Sequence, residues 1–237
     1  MTIHYFDIYK GIYDFEMHDI HTTNHAHPVV EVIIAIKGTF SLKVNELVSE
    51  NLVFAIVDAN VKHQFSSQDC LVKTLMIESH NNMLSEFLIQ SGIILSNGYY
   101  TSTTFPEKQQ FYTHLKEFAL NNDLKTPLDT RIAKCLDIIT HKKVTYETLI
   151  PSLRDSVFLS ESRLSHLFKE HIGVSIKKYL VWNNLKKAIQ SHLQNNNTLT
   201  EASLEHGFFD QAHLSNAFKN VLGVPPSKAY NSRTVQF

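Results

Sequence analysis

Three histidines and one glutamate in the N-terminal half have the types and spacing of a metal or ligand site. His25 and His27 stand two residues apart, Glu31 follows four residues later, and His63 comes further along the chain. Side chains at i and i+2 of a strand share one face, so this group can point into one interior. Three imidazoles and a carboxylate suit a divalent transition metal. The same four groups could instead line an effector pocket, or be satisfied polar groups of a core.

The other reactive side chains form no catalytic pattern. Cys70 and Cys135 lie far apart and fit neither a metal-binding nor a redox spacing, so we expect two buried thiols in a reducing cytosol. The sequence holds no nucleophile triad, phosphate-binding loop or paired acid elsewhere. No apolar run reaches the ~20 residues of a membrane span, and the first residues do not have the pattern of a secretory signal. We therefore expect a cytoplasmic protein that is not an enzyme and uses no cofactor.

Charge is unevenly divided along the chain, although the net charge at pH 7 is only −1. Residues 1–127 carry 8 Lys and Arg against 14 Asp and Glu, and residues 128–237 carry 14 against 9. A basic half joined to an acidic half suggests a polyanionic partner for the basic half. The asymmetry is modest, so charge alone does not indicate DNA binding.

Short β-rich segments fill the first 78 residues, and a helix follows them. Runs of β-branched residues broken by short turns predict a sandwich or a small barrel. The runs lie at 29–36, 39–44, 52–57 and 71–78. Over 105–123 the period becomes helical, with a wide apolar stripe that includes Phe111, Leu115 and Phe118. This stripe either packs on the barrel or forms the face of a dimer.

A helix start indicates a domain boundary near residue 126. Thr126 can cap a helix, Pro127 suits the first helical position, and Asp129 lies three residues past the cap. We therefore expect the next helix to begin directly after Thr126.

The C-terminal half contains an internal repeat with a spacing of fifty residues. SESRLSHLFKEHIGVSIKK (160–178) aligns with DQAHLSNAFKNVLGVPPSK (210–228), with seven identities in nineteen positions. A short helix precedes each copy, so each half of the repeat is predicted to be a helix-turn-helix unit. The segment 175–194 predicts one long helix that joins the two units.

Each copy has the residues that begin and end a helix. Ser160 and Asp210 are good N-caps, and Gly173 and Gly223 stand where a left-handed residue ends a helix. The short helix before the second copy begins with a capping-box pattern, Thr198–Glu201.

These residues resemble those of the AraC family of transcription regulators. The resemblance covers residues 128–237 and is most specific at HGFFDQAHLSNAFKNVLGVPPSKAY (206–230). It implies an α+β multidomain protein. Residues 1–126 would form a cupin-like β-barrel with accessory helices, for effector sensing and dimerisation. Residues 127–237 would form an all-α DNA-binding domain of two helix-turn-helix units joined by a long linker helix.

The resemblance also implies a function and partners. The expected function is a sequence-specific transcription regulator that binds double-stranded DNA and answers to a small-molecule effector in the N-terminal barrel. A homodimer and RNA polymerase stay open as further partners. The effector, the operator and the sign of regulation do not follow from the resemblance.

The chain departs from the family pattern at several positions. The small buried residue of each first helix falls on Arg154 and on Ser203, and an arginine of the linker helix falls on Asn184. The usual Thr-Pro after the second unit is Pro225–Pro226. An arginine in a helix contact is costly unless it snorkels, so we expect the first unit to pack differently or to bind DNA more weakly.

The second helix of each unit is expected to enter the major groove of DNA. Asn and Gln can pair with adenine edges, whereas Lys and Arg favour guanine or phosphate. Lys169 and Lys219 recur at the same place in the two copies and are interpreted as phosphate or structural contacts. The DNA-contacting candidates are Ser162, Arg163, Ser165, His166, Lys169, Gln211, Ala212, Ser215, Asn216 and Lys219.

The N-terminal cluster resembles cupin motifs. Residues 25–31 followed by Gly38 have the spacing of the first cupin motif, and His63 stands where the second motif places a histidine. Asp58 and Asn60 replace the usual Pro and Gly of the second motif, which favours the lining of an effector pocket over a metal site. A metal-dependent cupin enzyme or a metal sensor is the alternative function.

Overall fold

The computed structural model describes residues 1–141, 146–194 and 197–229. Tyr230, the last residue of the AraC-like segment, lies outside these residues. None of the described helices is both long enough and apolar enough to cross a bilayer.

The chain divides into two compact units. The first is Met1–Lys125 together with the segment that begins at Phe218, and the second is Thr126–Ala217. The first break lies beside the expected boundary near residue 126. The predicted domain bounds, 1–126 and 127–237, stay a prediction.

The described part of the first unit contains nine strands, which form two antiparallel sheets. The strands are β1 Thr2–Asp7, β2 Ile12–His18, β3 Val30–Lys37, β4 Phe40–Val44, β5 Leu47–Leu52, β6 Phe54–Val57, β7 His63–Ser67, β8 Leu71–Ile77 and β9 Tyr99–Ser102. The six-stranded sheet has the order β1-β2-β8-β3-β6-β9, and the three-stranded sheet has the order β5-β4-β7. Val32 of β3 lies opposite Leu75 on one side and Ile56 on the other, and all three are fully buried. The β-branched runs thus supply the core of the sheet, as strands covered by the rest of the fold do.

Three of the four predicted runs correspond to single strands, and the run 52–57 does not. Leu52 ends β5 in one sheet, and Phe54 begins β6 in the other. Between them, the Val53 carbonyl accepts a hydrogen bond from the amide of Ala35, and the Val53 amide donates to Ser102. The chain therefore changes sheets at Val53, and an unbroken apolar run gives no sign of such a change.

The apolar stripe predicted over 105–123 packs on the sheet. The first unit carries helices α1 Met83–Gln90 and α2 Lys108–Asn121. On α2, Tyr112, Leu115 and Ala119 are buried in the same core as the strands. The Tyr112 hydroxyl also donates a 2.7 Å hydrogen bond to the buried carboxylate of Asp14 on β2. Of the two interpretations of this stripe, the structure supports packing on the sheet.

Helices make up the second unit. They are α3 Thr130–His141, α4 Tyr146–Val157, α5 Glu161–Ile172, α6 Ile176–Gln194 and α7 Leu199–Glu205, and α8 Gln211–Leu222 begins in this unit. A short helix, α9 Pro226–Ala229, follows it in the other unit.

The predicted start of α3 directly after Thr126 is wrong by three residues. The helix begins at Thr130, where the Asp129 carboxylate accepts the amide of Arg131 and the Asp129 carbonyl accepts the amide of Ala133. Asp129 is therefore the N-cap of α3, because its carboxylate accepts a hydrogen bond from an amide of the first turn.

The termini of α5, α7 and α8 confirm the predicted capping residues. Ser160 accepts the amide of Arg163, and Asp210 accepts the amide of His213 at 2.7 Å. Thr198–Glu201 forms a capping box with both of its hydrogen bonds. Gly173 and Gly223 follow α5 and α8 with φ of 79° and 74°, the left-handed conformation that ends a helix.

The predicted linker helix is α6, and it ties α3 to the unit. Its inner side buries Tyr179, Trp182, Leu185 and Ile189, whereas Leu193 is only partly buried. Two polar side chains of α6 then donate to carbonyls at the end of α3. Asn183 binds the carbonyl of residue 139 at 3.1 Å, and Lys187 binds that of residue 140 at 2.6 Å. Such carbonyls have no partner within their own helix, so α6 caps α3.

Arg154 does not enter the helix contact expected for it, because its side chain is exposed. In the second helix-turn-helix unit, the corresponding residue, Ser203, is fully buried. The turn is two residues shorter in the first helix-turn-helix unit: three residues separate α4 from α5, whereas five separate α7 from α8. Each turn contains one residue with a left-handed backbone, Phe158 with φ of 56° and Gly207 with φ of 83°. Arg154 thus points to solvent instead of into a helix contact, and the predicted cost of burying it does not arise.

Candidate functional site

The predicted DNA-contacting residues lie on the exposed sides of α5 and α8. On α5, Ser162, Arg163, Ser165, His166 and Lys169 are all exposed. On α8, Gln211, Ala212, Asn216 and Lys219 are exposed, and Ser215 is half-buried. The exposure agrees with a surface that meets a partner, while the role of each residue in reading bases stays a prediction.

Buried residues fix the orientation of these two faces. Leu164 and Phe168 of α5, and Leu214 and Phe218 of α8, are at most 1% exposed. The Phe168 ring packs edge-on against Tyr179 of α6, with 5.7 Å between ring centroids. Because the buried stripe is spaced by three and four residues, it directs the intervening polar side chains to solvent.

The start of α8 is further held by side-chain hydrogen bonds. Thr200 of α7 donates to the amide oxygen of Gln211 at 2.8 Å, which joins the two helices of the unit. The ring nitrogen Nδ1 of His213 accepts the amide of Phe209 in the turn. The amide oxygen of Gln211 is therefore already engaged by Thr200, a restriction that the sequence pattern does not reveal.

The four residues of the N-terminal cluster come together in the first unit. His25 and His63 form a backbone bridge, with N–O distances of 2.9 and 3.0 Å in the two directions. Ring nitrogens of His25, His27 and His63 all lie within 4.8 Å of one another. Glu31, on β3, places Oε2 3.4 Å from Nε2 of His27 and 3.0 Å from Nε2 of His63. We call these four residues the His–Glu cluster.

Backbone carbonyls fix the tautomer of all three histidines. Nδ1 of His25, His27 and His63 lies 2.8, 3.0 and 2.9 Å from the carbonyl oxygens of residues 23, 29 and 61. A carbonyl can only accept, so each Nδ1 carries the proton and donates. In a neutral ring, Nε2 is then unprotonated and carries a lone pair.

Burial and close contacts shift the pKa values within the cluster. All four residues are at most 6% exposed. Burial, aided by His63 and His27, lowers the pKa of His25 to about 3. Burial raises the pKa of Glu31, but its contacts with His27 and His63 outweigh burial and hold that pKa below its usual range. Burial lowers the pKa of His63, but Glu31 outweighs it and raises that pKa above its usual value. The cluster therefore combines a buried carboxylate with at least one neutral imidazole.

The turn that departs from the second cupin motif does not displace the cluster. Asn60 adopts φ of 66°, a left-handed conformation that asparagine tolerates better than most residues. Its amide donates a 2.8 Å hydrogen bond to the carbonyl of His27. Asn60 thus forms this turn without a glycine and supports His27, while the choice between an effector pocket and a metal site stays a prediction.

A contact that the sequence does not indicate adjoins the cluster within the first unit. The amide and hydroxyl of Thr23 donate to the carbonyl of Gly223 at 2.8 and 3.1 Å. The Thr23 carbonyl in turn accepts from Nδ1 of His25. A Cβ added at Gly223 would lie 2.6 Å from that same Nδ1. The two hundred residues between Thr23 and Gly223 carry no local signal for this pairing.

A family model described as a helix-turn-helix domain matches residues 153–232. The arabinose operon regulatory protein of Escherichia coli is 32% identical to this chain over 113 residues, which are 46% of this chain and 38% of that protein. The C-terminal half carries an AraC-type helix-turn-helix domain. The chain thus matches well under half the length of this relative.

Longer but weaker similarities extend beyond the AraC-type domain. The probable transcriptional regulator LumQ of Photobacterium leiognathi is 23% identical over 234 residues, which cover 87% of this chain and 91% of that protein. Apo ToxT of Vibrio cholerae matches with a TM-score of 0.59 at 12% identity, over 92% of this chain and 96% of that one. ToxT has also been solved with an unsaturated fatty acid bound. At this identity, the similarity to ToxT establishes the two-part fold, sheets followed by helices.

Proposed function

We propose that this protein is a sequence-specific DNA-binding transcription regulator, and that a small ligand in its N-terminal half controls DNA binding. The observation that carries the proposal is the duplicated unit. Helices α5 and α8 begin with the same kind of cap, end with the same left-handed glycine and each present a polar face to solvent. One recognition helix per unit gives two helices for the major groove.

The relatives support the same function. Those named above carry the names of transcription regulators, and none is named as an enzyme. We therefore propose a regulator without catalytic activity that acts on DNA in the cytoplasm. The fatty acid bound to ToxT supports a small molecule as the effector of this chain. The chemistry of that effector depends on the residues of this chain and not on the ligand of ToxT.

Homodimerisation and contact with RNA polymerase are further interactions that we propose for this regulator. The stripe on α2 that could have formed a dimer face is used for packing, since Tyr112 and Leu115 are buried. A dimer of this protein would therefore use another surface. Analytical ultracentrifugation of the full chain, alone and with DNA, measures this directly.

Selection of bound sequences from random double-stranded DNA tests the function. The full chain should enrich sites that contain two short conserved elements about one helical turn apart, because two recognition helices read two major-groove segments. The variant for comparison is K169A/K219A, which removes one exposed cation from each recognition helix. It should bind all DNA sequences more weakly than the unaltered chain. Failure of the full chain to enrich any sequence at low salt would overturn the proposal.

A further inference from the structure

The His–Glu cluster directs an unusual set of lone pairs at one point. Because each Nδ1 donates to a backbone carbonyl, each neutral ring keeps its lone pair on Nε2, and Nε2 of His27 and of His63 faces the Glu31 carboxylate. Metal-bound histidines in proteins show this arrangement, in which an outer acceptor fixes the tautomer and orients the ring. Here all three rings have such an acceptor, which a group of polar side chains that merely fills a core does not require.

The polar atoms of the cluster do not all satisfy one another. Nε2 of His27 and Nε2 of His63 are buried, and neither forms a hydrogen bond of acceptable geometry with any described residue. Both nevertheless face the Glu31 carboxylate, at 3.4 and 3.0 Å. A lone pair and a carboxylate repel one another unless a cation lies between them. A proton shared by Glu31 and His63 leaves Nε2 of His27 buried without a partner, which is costly.

A divalent ion removes this conflict in one step. It accepts the lone pairs of the three rings and offsets the charge of Glu31. Around a tetrahedral ion with bonds of about 2.1 Å, neighbouring ligand atoms lie roughly 3.4 Å apart. Ring nitrogens already within 4.8 Å of one another need shifts of about an ångström to meet this geometry. Three imidazoles and one carboxylate form a donor set for zinc, iron, nickel or copper rather than for magnesium or calcium.

We propose that His25, His27, His63 and Glu31 bind one divalent transition metal ion, and that this ion is the ligand that controls DNA binding. The second clause rests on the proposed function, and the first does not. His25 links the two clauses. It donates to Thr23, and Thr23 holds the carbonyl of Gly223 at the end of α8. An ion that repositions the His25 ring therefore acts on the residue that terminates a recognition helix.

Metal titration of the full chain tests the site. The protein is treated with a chelator, dialysed and titrated with Co²⁺, whose absorption reports tetrahedral nitrogen and oxygen ligands, and with Zn²⁺ in competition. We expect about one equivalent to bind, and Zn²⁺ to raise the melting temperature where Mg²⁺ does not. H27A should weaken binding by on the order of 100-fold or more, because a ligand is lost.

The matched control is H21A, which removes an exposed histidine four residues before the cluster. It should bind Co²⁺ as the unaltered chain does. Circular dichroism of H27A without metal shows whether that variant folds, and the Co²⁺ spectrum of the unaltered chain tests the site without any variant. Absence of stoichiometric Co²⁺ and Zn²⁺ binding by the folded, unaltered chain would overturn the proposed site. So would a folded H27A that binds as tightly as H21A.

DNA binding with and without the ion tests the second clause. On a site obtained by selection, metal should change the dissociation constant by about 5- to 150-fold, the usual range of coupling between two sites. T23V keeps the side-chain shape and the backbone donor but removes the hydroxyl donor to Gly223. It should bind the metal normally and show a smaller effect of metal on DNA binding.

The outcomes separate the two clauses. Stoichiometric metal with no change in DNA affinity overturns regulation by the ion and leaves the site in place. A chain that binds metal but binds DNA in neither state overturns the proposed function, while the metal site stands on the titration alone.

Discussion

The two lysines that recur in the repeat give a quantitative test of how the units bind DNA. Lys169 and Lys219 are both exposed, and each lies four residues before the glycine that ends its helix. In both, the lysine carbonyl accepts the glycine amide at 2.9 Å. The two side chains therefore leave equivalent turns of α5 and α8. Substitution with alanine removes one cation from the same place in each unit without disturbing the cap.

The expected magnitude follows from counterion release. Each phosphate contact contributes about 0.9 to the slope of log K against log salt. Between 50 and 200 mM salt, one contact therefore accounts for roughly a 3.5-fold loss of affinity, and two contacts for roughly a 12-fold loss. K169A and K219A should each reduce the slope by about 0.9, and the double variant should reduce it by about 1.8. All DNA sequences should be weakened alike, because phosphate contacts carry no sequence information.

Fluorescence anisotropy with labelled duplexes at several salt concentrations measures these slopes. K37A is the control, since Lys37 is exposed at the end of β3 and its loss changes the net charge by the same amount. Its slope should equal that of the unaltered chain. If K169A leaves the slope unchanged while K219A lowers it, only the second unit contacts DNA, and the argument from equivalent positions is refuted for the first.

Three further substitutions test separate parts of the structure. Asn216→Ala should lose about 1–3 kcal/mol on the selected site and little on mismatched sites; equal loss on every sequence in anisotropy titrations would exclude it as a base-reading residue. Thr198→Ala should cost about 1 kcal/mol in urea unfolding because the capping box is lost, whereas Thr113→Ala on α2 should cost less. Gly223→Ala and Gly92→Ala both force alanine into the left-handed region, at about 1 kcal/mol or more. Only Gly223→Ala also meets atoms at 2.6 Å, so it should unfold at lower urea than Gly92→Ala, where the space is open; equal midpoints would contradict the close approach.

The sequence predicts local features of the helical half well. Ser160, Asp210 and Thr198 bind amides of their own first turn, so their chemistry is complete within four residues. Gly173 likewise needs only the helix that it ends. The start of α3 was predicted wrongly because two capping residues stand close together. Asp129 captures the first turn, and nothing in the local pattern ranks it above Thr126.

Features that depend on distant contacts could be predicted only in part. The spacing of His25, His27 and Glu31 predicts that they converge, and the backbone bridge to His63 completes the set. The carbonyls that fix the three tautomers leave no mark on the sequence. The sequence weighs against a metal because of Asp58 and Asn60, whereas in the structure Asn60 adopts a left-handed φ of 66°, which asparagine tolerates.

A footprint of the full chain on its selected site tests the central claim most directly. Guanine methylation protection marks major-groove contacts, and the chain has α5 and α8 to make them. We predict two protected segments whose centres lie about 10 base pairs, or ~34 Å, apart on one face of the duplex. In N216A, protection should weaken in the segment contacted by α8, because one base contact is lost, while the other segment keeps its protection. A single protected segment of about five base pairs would contradict the claim that both units bind DNA.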